Sequence, residues 1–267
     1  MIRMFRYSGA GNSFIAIDGR DTDVSRFRER RVIHMLCLAN GTDGLMILDK
    51  SCTTDFKMEF FNPDGSSGMM CGNGGRCIVA FADFLGVKPF HSTDYVFEAP
   101  DGIHNAQILS QLGDCKMVRL EMGDVSDYRE SQGGLFLDTG ARHLVLFVPD
   151  VEQVDVESEG KRLRSDAEFA PQGTNVDFVS VMPDGSLTVR TFEKGVERET
   201  LACGTGITAS AMAACLRGLG GRNEGDFYEY LVHARQDDLS VSFVHRGGVF
   251  SEVRLTGPAL FQGDLFE

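Results

Sequence analysis

Short apolar runs separated by glycine-rich turns fill the first part of the chain. Residues 4–7 begin a strand, residues 14–18 (FIAID) read as a second with apolar alternation, and Gly9-Ala10-Gly11-Asn12 between them reads as a hairpin turn. Residues 26–39 carry Val32, Met35, Leu36 and Ala39 at helical spacing, and Asn40-Gly41 supplies a stop. The run 45–48 (LMIL) predicts a buried strand. Residues 56–61 (FKMEFF) alternate polar and apolar and lead into the turn Asn62-Pro63-Asp64-Gly65. Further strands are predicted over 95–99, 102–109, 116–122, 135–137, 144–148, 176–182, 187–192, 239–244, 249–255 and 256–266. The charged stretch 151–170 predicts a solvated helix or loop. Gly113-Asp114 is a plausible crossing point into a second half.

Part of the pattern occurs twice. The stretch from Phe60 to Leu85 recurs as the stretch from Thr191 to Leu216. Each copy runs from a β-type segment through a turn-rich linker to a Cys-Gly-x-Gly turn, then opens an apolar helix that ends near a glycine. The first helix carries Ile78, Phe81, Ala82 and Leu85 on one stripe. The second, over 207–216, is alanine-rich with small residues on several sides, and suits burial inside a sheet. Cys71 and Cys203 hold equivalent positions. Glycine before a helix leaves backbone N–H groups free to face a ligand, and the helix dipole adds positive potential there. A carboxylate binds well at such a place, and a cysteine ionises more readily, with thiol pKa values of roughly 3.5–7.5.

Composition narrows the chemistry. At 267 residues the chain is long enough for one or two domains, and the repeat favours two. Apolar and charged fractions of 42% and 24% are those of an ordinary globular protein. A net charge of -13 argues against nucleic acid or an anionic membrane surface as partner and leaves a small molecule. Seven cysteines, an odd number, in a chain with no signal-like apolar start predict free thiols in a reducing cytoplasm. The apolar runs are too short to cross a bilayer. The cysteine spacings lack any CxxC pair and argue against zinc. Neither GxGxxG nor GxxxxGK[ST] is present, and there is no GxSxG or HExxH.

Three readings of the paired cysteines follow. Each could be a small buried hydrophobe, but that does not explain why both copies place Cys before glycine at a helix start. A thiol–disulfide redox pair would lack the usual local spacing. The third is acid–base chemistry at the carbon of a small anion. Removing a proton from one face of a stereocentre and returning one to the other needs a base and an acid on opposite sides. Helix ends would hold the carboxylate and stabilise developing charge. Read alone, a His such as His143 beside an apolar strand is more often structural than catalytic.

The motifs GAGNSF (9–14), FFNPDG (60–65), MCGNGGRC (70–77), TNVDFV (174–179), TFEKGVERETLACGTG (191–206) and LTGP (255–258) occur in this order. With them the chain resembles the diaminopimelate epimerase family, cofactor-independent amino-acid epimerases and racemases, over nearly its whole length. The resemblance implies an α/β (α+β) fold of two pseudo-symmetric domains, each a curved mixed sheet or barrel around a central helix, with the site in the cleft between them. The expected domains are 1–114 plus 256–267, carrying Cys71, and 115–255, carrying Cys203. The resemblance implies Cys71 and Cys203 as the two bases, without pyridoxal phosphate or metal. It implies substrate contacts from Asn12, Asn62 and Asn175, and main-chain or hydroxyl donors to the α-carboxylate at Gly72, Asn73, Gly204 and Thr205. It places Glu193 and His143 beside the α-amino group and the thiols, tuning protonation, and suggests a homodimer. Two departures fall on the distal end of the substrate. Ala141 and Arg142 stand in Gly140-Ala141-Arg142-His143 where the family commonly has Asn-Pro, and Lys194 stands where it commonly has Arg, which unlike Lys grips a carboxylate bidentately. Ser13 replaces a common Asp in the turn. The departures leave open a relative acting on another amino acid, and intact thiols argue against a non-catalytic binding protein of the same fold.

Overall fold

Strands in the first part of the chain differ in how completely they are covered, and the difference follows their pattern. In the computed structural model, which describes residues 2–68, 71–90 and 93–265, the run Leu45, Met46, Ile47 and Leu48 is fully buried. In residues 56–61, Phe56 and Met58 are buried while Lys57 is exposed. A continuous apolar run marks a strand covered on both faces, and alternation marks one with a wet face. Met70 of the first cysteine motif and Phe266 of the predicted terminal strand lie outside the described residues.

The chain divides into two units, Met1–Leu120 with Gly257–Glu267, and Glu121–Thr256. The first contains β1 (Met4–Gly9), β2 (Asn12–Asp18), α1 (Arg30–Asn40), β3 (Gly44–Asp49), β4 (Phe56–Phe61), α2 (Gly72–Phe84), β5 (Asp94–Ala99), β6 (Gly102–Leu112) and β7 (Cys115–Glu121). The second contains β8 (Tyr128–Ser131), β9 (Gly134–Asp138), β10 (Arg142–Phe147), α3 (Val156–Arg164), β11 (Asn175–Val181), β12 (Leu187–Glu193), β13 (Arg198–Thr200), α4 (Gly204–Arg217), β14 (Arg222–Glu224), β15 (Phe227–His233) and β16 (Asp238–Arg246). Strand β17 (Val249–Leu265) begins in the second unit, and its residues 257–265 belong to the first.

In the first unit β1 to β7 pair in sequence order, and the end of β17 pairs with both β7 and β1, closing a barrel. The pairs β2–β3 and β4–β5 are parallel and the rest antiparallel. The two parallel crossovers carry α1 and α2. Helix α2 packs on β1, β2, β3 and β6, and every residue from Gly72 to Ala82 is buried. The single apolar stripe expected for this helix is therefore a helix covered on all sides. Helix α1 lies outside: Ile33 and Cys37 pack on Ile15, Ile17, Leu45 and Ile47, the outward residues of β2 and β3. Gly41, with φ 59°, ends it as the Asn40-Gly41 stop predicts.

The second unit repeats this plan. Its ring runs β8–β9–β10–β11–β12–β15–β16–β17, with β10–β11 and β12–β15 parallel. Residues 122–131 close it, through the Val125–Phe250 bridge and the Met122 amide on Val253. Helix α4 packs on β9, β10, β11, β12, β15 and β16, and its small residues let the strands approach on every side. Its buried hydroxyls are satisfied within the helix, Thr208 on the Gly204 carbonyl and Ser210 on that of Gly206. Helix α3 covers the outside, with Val156 and Leu163 against Leu144, Val176 and Phe178. The stretch 151–170 is thus half core, not merely solvated.

Three expectations on elements change. Gly113-Asp114 is the tight turn of the β6–β7 hairpin, where Leu112 pairs with Cys115, so the unit boundary falls later, after Leu120. The two strands predicted from residue 249 onward form one continuous strand, Val249–Leu265. The pattern assigns no element between 217 and 238, yet β15 lies there, FYEYLVH, with Tyr230 and Val232 buried and Leu231 between them exposed.

Candidate active site

Each central helix opens on a cysteine. Cys71 is the N-cap of α2, extended at φ −105° and ψ 150°, and its sulphur accepts the Gly74 amide at 3.2 Å. A thiol thus fills the role usually taken by Ser or Asp. Asn73, in the first turn, donates from Nδ2 to Asn12 Oδ1 at 2.7 Å, which ties the helix mouth to the start of β2. Behind it lies Arg76, 0% exposed. Its Nη2 donates to Asn73 Oδ1 at 2.9 Å and its Nη1 to the Gly72 carbonyl at 3.0 Å. These bonds fix both amides: Asn12 Oδ1 accepts from Asn73 and Asn73 Oδ1 accepts from Arg76. The turn at Gly9 sits so close that a Cβ there would lie 2.8 Å from the Asn73 carbonyl oxygen. Asn62 is held apart in its own turn, its Nδ2 on Ser66 Oγ at 3.0 Å.

Cys203 is the N-cap of α4 and has no capping bond from its side chain. Its sulphur lies 3.4 Å from Thr205 Oγ1. That hydroxyl is 2.9 Å from His143 Nε2, and His143 Nδ1 is 2.7 Å from Asp177 Oδ2. Thr191 donates to the other oxygen, Asp177 Oδ1, at 2.6 Å. His143 and Asp177 are both fully buried. Burial alone would drive the imidazole toward neutrality, but the Asp177 carboxylate and the Cys203 sulphur overcome it and raise the pKa to about 10. Gly206 makes room for the pair, since a Cβ there would lie 2.4 Å from Asp177 Oδ1.

Asn175 sits at the start of β11, in register with His143. Its Nδ2 donates to the Arg142 carbonyl at 2.8 Å and its Oδ1 accepts the Lys194 amide at 2.8 Å. Glu193 ends β12 and accepts from Thr200 Oγ1 at 2.9 Å. Arg142 lies on the face of β10 opposite His143, its guanidinium 5.9 Å over Phe136. Cys77, Cys37 and Cys215 differ from the two mouth cysteines. Burial pushes all three thiols up, that of Cys215 to about 11 and that of Cys77 further.

The residues expected in the first half therefore fall into a group of Asn12, Cys71, Gly72 and Asn73, with Asn62 in a neighbouring turn. Those expected in the second form a group of His143, Asn175, Cys203, Gly204 and Thr205, with Glu193 and Lys194 at the strand end beside Asn175. Reading the sequence alone missed Arg76, Asp177 and Thr191. Both charged residues had a signal: Arg76 interrupts an apolar helix, and Asp177 interrupts a strand, NVDFVSV, that is otherwise apolar or small.

Solved structures with this architecture include a phenazine biosynthesis protein of the PhzF family from Bacillus anthracis (TM-score 0.75, 14% identity, covering 99% of this chain and 98% of that one). A hydroxyproline epimerase from Agrobacterium vitis shares it too (TM-score 0.68, 16% identity, 99% and 91%). They define the class, proteins in which two barrels each enclose a helix. The family model for diaminopimelate epimerase matches residues 4–127 and 135–261. Diaminopimelate epimerases of Flavobacterium psychrophilum and Chlorobaculum tepidum are 36% and 38% identical, covering 97% and 94% of this chain and 98% and 96% of their own lengths. The chain belongs to the diaminopimelate epimerase family, a family of isomerases.

Proposed function

We propose that this protein interconverts LL- and meso-2,6-diaminopimelate, a step that supplies lysine and peptidoglycan precursors. The observation that carries the proposal is the pair of cysteine N-caps, one at each barrel-enclosed helix, in a chain that matches its relatives over nearly full length. One cysteine, as thiolate, takes the α-proton. The C–H bond breaks, an S–H bond forms, and the electron pair spreads onto the α-carboxylate. The other, as thiol, gives its proton to the opposite face, which inverts the centre. Donors at Gly72, Asn73, Gly204 and Thr205 would take the carboxylate charge as it develops. Asn12, Asn62, Asn175, Glu193 and Lys194 would orient the substrate, and His143 and Glu193 would tune protonation. The reading places the enzyme in the cytoplasm, which its seven free cysteines support, with a small-molecule partner and as a homodimer. Sedimentation velocity tests the last point.

A specific observation favours a second reading, a relative acting on another amino acid. Ala141 and Lys194 remove two groups common at the distal end, and Arg142 is turned to the Phe136 side of its strand. The test is deuterium incorporation at the α-carbon of LL-diaminopimelate in D2O under reducing conditions. Exchange with appearance of the meso isomer is the expected result. If LL-diaminopimelate does not exchange while another L-amino acid does, the second reading replaces the first.

A further inference from the structure

The two barrels hold equivalent positions at equivalent registers, and three of them differ in kind. In the first unit Phe14 pairs with Gly44 across the parallel strands, and Met46 pairs with Phe60. In the second, His143 pairs with Asn175 and Asp177 pairs with Thr191. Phe60 and Thr191 also head the two copies of the sequence repeat. So Phe14, Met46 and Phe60 occupy the places of His143, Asp177 and Thr191. The first set packs as an apolar cluster under α2: the rings of Phe14 and Phe60 are 5.9 Å apart, and Met46 Sδ faces Gly74. The second set is a buried ionic network under α4, with Asp177 facing Gly206. The first barrel shows that this architecture closes without such a network. Buried ion pairs are weak sources of stability, because desolvation offsets their attraction. The network at α4 therefore calls for a role other than packing.

Its donor and acceptor pattern supplies one. An ionised carboxylate only accepts, so His143 Nδ1 must carry a hydrogen toward Asp177 Oδ2. Thr191 donates to the other oxygen and helps hold the carboxylate in place. With the ring charged, Nε2 is also a donor, and its hydrogen goes to Thr205 Oγ1. The Thr205 hydroxyl hydrogen is then free to turn onto the Cys203 sulphur, 3.4 Å away. The charged or titratable groups that act on the ring are Asp177 from β11 and Cys203 from the mouth of α4. Strand β9 offers Leu137 opposite, and Asn175 Nδ2, 3.4 Å from Nε2, directs its hydrogen at the Arg142 carbonyl.

We propose that Asp177 is a positioning residue for proton transfer at Cys203: it holds His143 as an imidazolium, and His143 in turn orients the Thr205 hydroxyl as a donor to the Cys203 sulphur. This deepens the two-thiol reading above and rests on it for its effect on turnover. In its absence the ring would lose its charge, Thr205 would donate to Nε2 instead, and the sulphur would lose its donor.

The test combines a titration and a pH profile on the full-length protein. The His143 ring resonances, assigned with a His143→Gln variant, should stay those of a protonated imidazole through pH 9 in the wild type. In Asp177→Asn they should titrate at or below the ordinary value of about 6.5. The kcat/KM profile for diaminopimelate should acquire a new fall above that pH in Asp177→Asn, with a loss of roughly 100-fold at pH 8. Thr205→Val should show a similar loss without the new pH limb, and Thr205→Ser, which keeps the hydroxyl, should recover most of the rate. A wild-type ring that titrates near pH 6.5, or an Asp177→Asn profile parallel to wild type, overturns the proposal. The ring titration is read without substrate. If the wild type failed to exchange diaminopimelate, the functional reading would fall while the titration still decided whether Asp177 holds the ring charged.

Discussion

The mouths of α2 and α4 are copies in backbone and differ in how the charge behind them is held. Both present a cysteine N-cap, and the residue two positions on, Asn73 or Thr205, makes the link to the barrel wall. Behind Asn73 stands Arg76, a guanidinium whose charge no accessible pH removes. Behind Thr205 stands His143 against Asp177, a charge that one proton removes. Repetition of the chain thus reproduced the position of the thiol but not its surroundings. In the two-thiol mechanism proposed above, that difference would bias which sulphur starts as base and which as acid.

The comparison can be broken most severely at the thiols. Cys71→Ser and Cys203→Ser should each lower epimerisation by about 100- to 10,000-fold if, as proposed, the two thiols carry the protons. A single variant retaining wild-type turnover in the exchange assay would show that one thiol suffices. Next come the paired glycines. Gly206→Ala places a methyl 2.4 Å from Asp177 Oδ1 and 3.1 Å from His143 Cε1, whereas Gly74→Ala meets only Cys71 Sγ at 3.3 Å and the two methionines beyond 3.4 Å. Gly206→Ala should lose about 1–3 kcal/mol in urea unfolding and most activity, and Gly74→Ala clearly less. Equal losses would mean that the network under α4 has no special demand for space.

Arg76→Met tests the fixed side of the pair. It takes the donor from Asn73 Oδ1 and from the Gly72 carbonyl and should cost about 1–3 kcal/mol. Its loss of kcat/KM should be uniform across pH, in contrast to the pH-dependent loss of Asp177→Asn. The smallest effect is on stability. The His143 pKa in the folded protein, about 10, is above its ordinary value of 6.5. The charged ring therefore contributes stability in full below pH 6.5, and that contribution is lost as pH rises through about 10. The gap in urea midpoint between wild type and Asp177→Asn should narrow over that window. A gap constant from pH 6 to pH 10.5 would show that the pair does not titrate with folding.

Much of this was written in the chain itself. The two Cys-Gly-x-Gly stretches, the apolar runs and the glycine stops determine two similar halves, each with a thiol at a helix mouth. Such features are local: a turn, a cap or a run of apolar side chains acts through neighbours a few residues away. The alternation in residues 56–61 and its absence in 45–48 even foretell which strands are covered twice. What the sequence left undetermined depends on register between distant segments. That α2 is enclosed on all sides, that β15 fills the place parallel to β12, and that β17 runs on from one unit into the other are settled only when the barrels close. The same holds for chemistry. His143, Asp177 and Thr191 lie on three different strands, and nothing local in any of them specifies the other two. Inward-facing positions in paired strands bring them together beneath Gly206, and only there does a buried carboxylate make a buried histidine a lasting cation.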